Sequence, residues 1–366
     1  MTTLSDILHP ETLKNYCRDE MTPKERLRAA LYLQKIDRIP LAQPLQTGTV
    51  ELMQACGSFW PKAHREADSM ARLAYAAHSI IGFESVRVPF DLNVESEALG
   101  CTLDYVTGPG NGIDVQPSVR LTPVNAKEHL ARLSIPDPSK TGRMPAVIQA
   151  VQMLGDAIKK VGNEIPIFAA TVAPFTLAGQ IRGVDKFMRD LIKDPAFAHE
   201  LLEKCYQTCL IYAKALVAAG ADTLVLIDPT ASPDLVSPKY YGEFAKLYTR
   251  RITEQLNVPT ILHICGNSQM ILSQMAEVSN GVSVDSQVDM QHLKQVLGNK
   301  AAAVGNIDVN STLLFGSKTE IEQCVVERIK AGTDILTTAC GIAPRTPSRN
   351  LIVMVQAGKK YGQKQA

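Results

Sequence analysis

Residues 260–285 read TILHICGNSQMILSQMAEVSNGVSVD. Two short apolar runs, Thr260 to Cys265 and Gly281 to Asp285, flank a longer stretch, and each run is followed by Gly, Asn, Asp or Ser. A β-run, a turn, a spacer of helical length and a second β-run is the pattern of parallel strands joined by a crossover. The alternation extends through most of the chain. Further runs are Ile39 to Ala42, Ser85 to Val88, Ile165 to Val172, Thr223 to Ile227, Ala302 to Gly305 and Ile335 to Cys340, eight in all. Between them lie amphipathic segments such as Asp185 to Ala219 and Thr319 to Ala331, apolar at three- and four-residue spacing. Eight βα units close a ring, so the expected fold is α/β, a single (β/α)8 TIM barrel.

Composition agrees with one large packed unit. The 366 residues are 45% hydrophobic and 20% charged, which excludes disordered and fibrous chains. Thirty-eight Lys and Arg against 37 Asp and Glu leave a net charge of +1, without the basic excess that nucleic acid requires. No run of about eighteen apolar residues marks a membrane span, and the N-terminus lacks the apolar core of a signal peptide, so a cytoplasmic protein is expected. The eight Cys, at 17, 56, 101, 205, 209, 265, 324 and 340, then read as reduced thiols. Thr22-Pro23-Lys24-Glu25 carries the residues of a capping box, so a helix should start there and residues 1–22 should form a helical appendage before a barrel domain of 23–366. The stretch from about 93 to 145 fits no βα unit. With extended pieces Thr102 to Val106 and Ile113 to Val119 around GPGNG, it is expected to be an insertion over the barrel mouth.

In such a barrel the chemistry gathers at the C-terminal ends of the strands. Strand alternation puts His263 and Cys265 on one face there, and Cys340 ends the eighth run with Gly341 after it. Imidazole and two thiolates are a zinc donor set with a fourth position left for substrate, although a strand Cys also serves as a small buried hydrophobe. Asp91, Glu95, Glu97, Asp228, Asp285 and Asp308 follow runs two, four, six and seven. Asp285 ends the run next to His263 and reads either as an oxygen ligand to zinc or as a helix cap or partner of His263. Glu95 and Glu97 read as a solvated face. No phosphate loop and no nucleophile elbow occur.

The stretches TPKERLRAALYLQKIDRIP, VPFDLNVESEALG, ATVAPFTLAGQIRG, LHICGN, VGNID and ACGIAPRTPSRNLIVMV together resemble the uroporphyrinogen decarboxylase superfamily. Within it they are similar to the methylcobamide:coenzyme M methyltransferases. That branch carries a His-x-Cys…Cys zinc signature, which falls on His263, Cys265 and Cys340. The decarboxylase branch fits less well, because Gln43-Pro-Leu-Gln-Thr-Gly-Thr-Val50 lacks the Arg that would pair with porphyrinogen carboxylates.

The resemblance implies zinc-dependent methyl transfer from methylcobamide on a separate corrinoid protein to a small thiol such as coenzyme M. The zinc-bound thiolate would be the nucleophile, attacking methyl-cobalt(III) in line and leaving cobalt(I). Asp285 and Asp228 are the catalytic candidates, the latter as a general base, and Asn306 and Arg345 the cofactor-binding ones. Arg345 and Arg349 are candidates for the substrate's anionic end. Other readings stay open: a different acceptor or donor, such as tetrahydrofolate or a methoxy or methylamine compound; a uroporphyrinogen-type decarboxylase without metal; or a non-catalytic partner of a corrinoid protein.

Overall fold

A computed structural model describes residues 19–105, 114–162 and 164–363. Its strands are β1 (Val86–Val88), β2 (Thr102–Asp104), β3 (Ser118–Leu121), β4 (Ile167–Val172), β5 (Thr223–Ile227), β6 (Thr260–Ile264), β7 (Gly281–Val284) and β8 (Ala302–Val304). Six of them form a parallel sheet in the order β1-β4-β5-β6-β7-β8. Each is buried along its whole length, as strands covered by helices on one face and by a filled barrel on the other must be.

The first and eighth expected runs complete the ring without becoming regular strands. Bridges join Val304 to Ile335 and Ile307 to Thr338. The Leu336 amide donates to the Pro40 carbonyl at 3.0 Å, and the Glu84 amide to the Leu41 carbonyl at 2.9 Å. Residues 39–42 therefore sit between residues 335–340 and β1. Pro40 has no N–H to give to a ladder. The Thr338 amide donates to Oε1 of Gln43 at 3.2 Å, so a side chain stands where a strand backbone would.

Helix Pro23–Leu31 begins at Thr22 with the expected capping box. Its Leu27 and Leu31 join Ala42, Phe168, Ala170, Val225, Ile227, Ile261, Ala302, Val304 and Ile335 in one buried cluster. The strand members alternate, as inward-facing positions do, and the helix plugs the end of the barrel where the strands begin. Polar chemistry is left to the opposite end. Residues 1–18 of the expected appendage and the GPGNG turn lie outside the described residues. β2 and β3 pair antiparallel, Thr102 opposite Leu121 and Asp104 opposite Ser118. The second piece of this hairpin thus starts later than its sequence indicates.

Candidate metal centre

His263 follows Ile261 at the two-residue period of β6, so it shares the inward face of that residue. Its Nε2 is 3.2 Å from Sγ of Cys265, whose sulfur is 3.8 Å from Sγ of Cys340. The three donor atoms lie within 4.8 Å of one another, the one such group of His, Cys and carboxylate side chains among the described residues. Tetrahedral zinc with its usual bond lengths would hold two sulfurs about 3.8 Å apart and a nitrogen and a sulfur about 3.5 Å apart. The donor set and its spacing fit that ion.

The other ring nitrogen, Nδ1, meets Oγ of Ser283 at 3.0 Å. Ser283 pairs with His263 across the β6–β7 ladder, so the contact follows from register. A hydroxyl on Nδ1 orients the ring and leaves Nε2 for the cation, the arrangement usual around ligand histidines. The sequence carries one signal for Ser283, a polar residue within the apolar run GVSV, which does not by itself point to His263. Between the sulfurs, the Cys265–Cys340 hydrogen bond and nearby His263 favour the Cys340 thiolate, while Cys265 is held protonated. Two adjacent thiolates need a cation between them. Gly266 turns the chain at φ +75° directly after Cys265; a Cβ there would collide with the Asp234 carboxylate and come within 2.9 Å of Oγ of Ser232.

The acidic residues divide. Asp285 stands one step outside the three donors, accepting from the Gly266 amide, the Ser286 hydroxyl and the Gln287 amide, each at 3.3 Å. Asp228 is not one of the three donors and is engaged at the first turn of helix Pro174–Arg182, where Oδ1 accepts from the Thr176 amide at 2.9 Å and hydroxyl at 2.6 Å. Burial pushes its carboxyl up to about 7. Glu95 is not on a solvated face. It is buried, accepts from the Thr171 hydroxyl and the Val172 amide, and is likewise pushed up to about 7 by burial. Glu97 pairs with Arg143 at 2.5 Å. Asp308 caps its own loop through the Asn310, Ser311 and Thr312 amides.

Asn306 is buried, and its Nδ2 donates to the carbonyls of Asp285 at 2.7 Å and Val288 at 2.8 Å, tying down the turn that carries Asp285. Arg345 is 74% exposed at its side chain and pairs with Asp114 at 2.6 Å, while Arg349 is exposed on the C-terminal helix Ser348–Tyr361.

The sequence pattern of the uroporphyrinogen decarboxylase (URO-D) family matches residues 22–361. The chain belongs to that family. Within the URO-D family, a methylcobamide:CoM methyltransferase, MtbA, of Methanosarcina mazei is 40% identical over 348 residues, covering 93% of this chain and 99% of that protein. A solved structure described as a methyltransferase from Methanosarcina mazei superposes with a TM-score of 0.88 at 37% identity, over 93% of this chain and 99% of that one. A uroporphyrinogen decarboxylase of Nostoc punctiforme is 27% identical over 301 residues, 78% of this chain and 79% of that protein. The chain thus stands nearer to those methyltransferases than to that decarboxylase.

Proposed function

We propose that this chain is a cobamide-dependent methyltransferase, moving a methyl group from a methylated corrinoid protein to a thiol acceptor such as coenzyme M. The observation that carries the reading is the His263, Cys265 and Cys340 triad at the open end of the barrel, with Ser283 orienting the imidazole. The likeness to methylcobamide:CoM methyltransferases supports the corrinoid donor and the thiol acceptor. Zinc at the triad supplies positive charge that lowers a thiol's pKa, so that the acceptor sulfur is a nucleophile near neutral pH.

The chain's own residues hold and shape that position. Cys265 and Cys340 would hold the cation and offset its charge, which would leave an acceptor sulfur electron-rich. Ser283 fixes the ring, and Asn306 holds the turn from which Asp285 faces the Gly266 amide. Asp285, beside the triad at the Gly266 amide, would be the carboxylate available to a cation there when no thiol is bound, and it would not be needed once a thiol supplies the fourth donor. Asp285→Ala is therefore expected to retain zinc and to bind thiol without large loss, as read by elemental analysis and calorimetry. A lowered melting temperature with unchanged metal geometry would instead assign Asp285 a capping role.

The test of the function is to mix zinc-loaded protein with methylcobalamin and coenzyme M and follow loss of the methyl-cobalt absorbance. Tetrahydrofolate is the comparison acceptor. X-ray absorption at the zinc edge should show two sulfurs without thiol and three with it, and calorimetry in buffers of differing ionisation enthalpy should count one proton released. An active enzyme that keeps a two-sulfur shell at saturating thiol would overturn this role for the metal.

A further inference from the structure

The loop after residues 39–42 and the loop after Cys340 are stitched together by Gln46. Its carbonyl accepts from the Ile342 amide at 2.9 Å, and its Nε2 donates to the Ile342 carbonyl at 2.6 Å. A Cβ on Gly341 would lie 3.1 Å from Cβ of Gln46, so it is this close approach that calls for glycine beside Cys340. Two residues on, Gly48 lets the indole of Trp60 press against the loop. A Cβ at Gly48 would be 2.7 Å from Cζ2 and 3.2 Å from Cε2 of Trp60, and 3.3 Å from Oε1 of Gln46. The indole edge next to Nε1 and the side-chain oxygen of Gln46 thus both pack against Gly48, and Gln46 itself lies against Gly341, the residue next to Cys340.

This seam holds buried polar atoms that have no partner among the described residues: Nε1 of Trp60, Oγ1 of Thr47 and Oε1 of Gln46. Trp60 is 1% exposed and Thr47 2%. A buried N–H or O–H left unpaired is costly, so such groups call for a partner, either an ordered water or a ligand. Two of the three are donors. A small anion with several acceptor oxygens suits neutral donors, because hydrogen bonds to a charged acceptor are the strong ones. The Arg nearest in sequence to Cys340, Arg345, is committed to Asp114. Gln46 Oε1 is an acceptor, so the anion must lean toward Trp60 and Thr47.

We propose that this seam binds the anionic tail, sulfonate or carboxylate, of the thiol acceptor, with the Trp60 indole N–H and the Thr47 hydroxyl as its donors. The proposal rests on the thiol methyltransferase reading above and adds to it the residues that select the acceptor. They bind the tail and position the sulfur, and take no part in the bond changes.

The experiment is calorimetric titration of zinc-loaded protein, and of its Trp60→Phe and Thr47→Val variants at verified equal zinc content, with three thiols. These are 2-mercaptoethanesulfonate, 3-mercaptopropionate and 2-mercaptoethanol. The wild type should prefer an anionic thiol, and the better of the two names the tail. Each variant should weaken that thiol by about ten- to a hundredfold while changing 2-mercaptoethanol by less than about twofold. Anionic-thiol affinity unchanged in both variants, or an equal loss for all three thiols, overturns the subsite and leaves the methyltransferase reading standing. Wild-type protein that holds zinc yet binds none of the thiols overturns both. Should Trp60→Phe fail to fold, Thr47→Val decides alone.

Discussion

Cys340→Ser is expected to leave the barrel folded and the zinc affinity lowered by more than about a hundredfold, with methyl transfer to thiol lost in parallel. Loss of a mere hydrogen-bond partner of a ligand costs up to about a hundredfold in metal affinity, and removing a donor atom exceeds that. Two of the three donors, Nε2 of His263 and Sγ of Cys265, stay in place after the substitution, the imidazole still oriented by Ser283, so the residual site is ordered but short of one sulfur. Ser in place of Cys preserves the loop, because Cys340 contributes its carbonyl to the Thr338 hydroxyl through the backbone. A chelator competition titration measures the affinity, and circular dichroism checks the fold. Full zinc in a Cys265→Ala, Cys340→Ala double variant would mean that the ion is held elsewhere.

Arg143→Met is expected to lower the free energy of unfolding by about 3–5 kcal/mol, the range observed when one partner of a buried ion pair is removed. Arg143 donates to both oxygens of Asp91, at 2.6 and 2.7 Å, and both side chains are buried. Burial alone would raise the Asp91 carboxyl, but Arg143 overrides it and, with His64 at 2.9 Å, holds it well below the usual carboxylate range. A depressed folded pKa contributes stability above the unfolded carboxylate value and loses it as pH falls through the folded one. The difference between wild type and variant should therefore be full at neutral pH and shrink progressively as pH falls below about 5. Urea unfolding at pH 7 and pH 3 measures both. A loss below about 1 kcal/mol at pH 7 would show that water already reaches the pair. Adding Asp91→Asn to the variant should recover part of the loss, since the charge left without its partner is then gone.

Much of this was legible because periodicity is local. The inward aim of His263 and Cys265 follows from alternation along one strand, and the helix start at Thr22 from a four-residue cap. In the sequence, residues 39–42 and 335–340 look like two more strands, since both runs are apolar. Pro40 and the Gln43 side chain replace the ladder there, and a side chain that serves as a surrogate strand has no sequence period. The same limit applies to the carboxylates. Glu95 looks like a helix-surface residue until Thr171 and Val172, far along the chain, are brought over it. Asp228 ends a strand in the expected place, yet its direction is set by helix Pro174–Arg182, whose first-turn amide it satisfies. Position along a strand was readable; the direction of a side chain just beyond its end depended on partners distant in sequence.

The sulfur–sulfur contact of Cys265 and Cys340 spans 75 residues, and the Gln43–Thr338 bond that closes the ring beside it spans 295. A chain emerging from the ribosome presents His263 and Cys265 while the circle is still open, and the third donor arrives with the segment that shuts it. A metal held by all three side chains would therefore be bound at full strength only once the segment around Cys340 has joined the ring. Such an ion would act as a clasp between an early and a late part of the barrel.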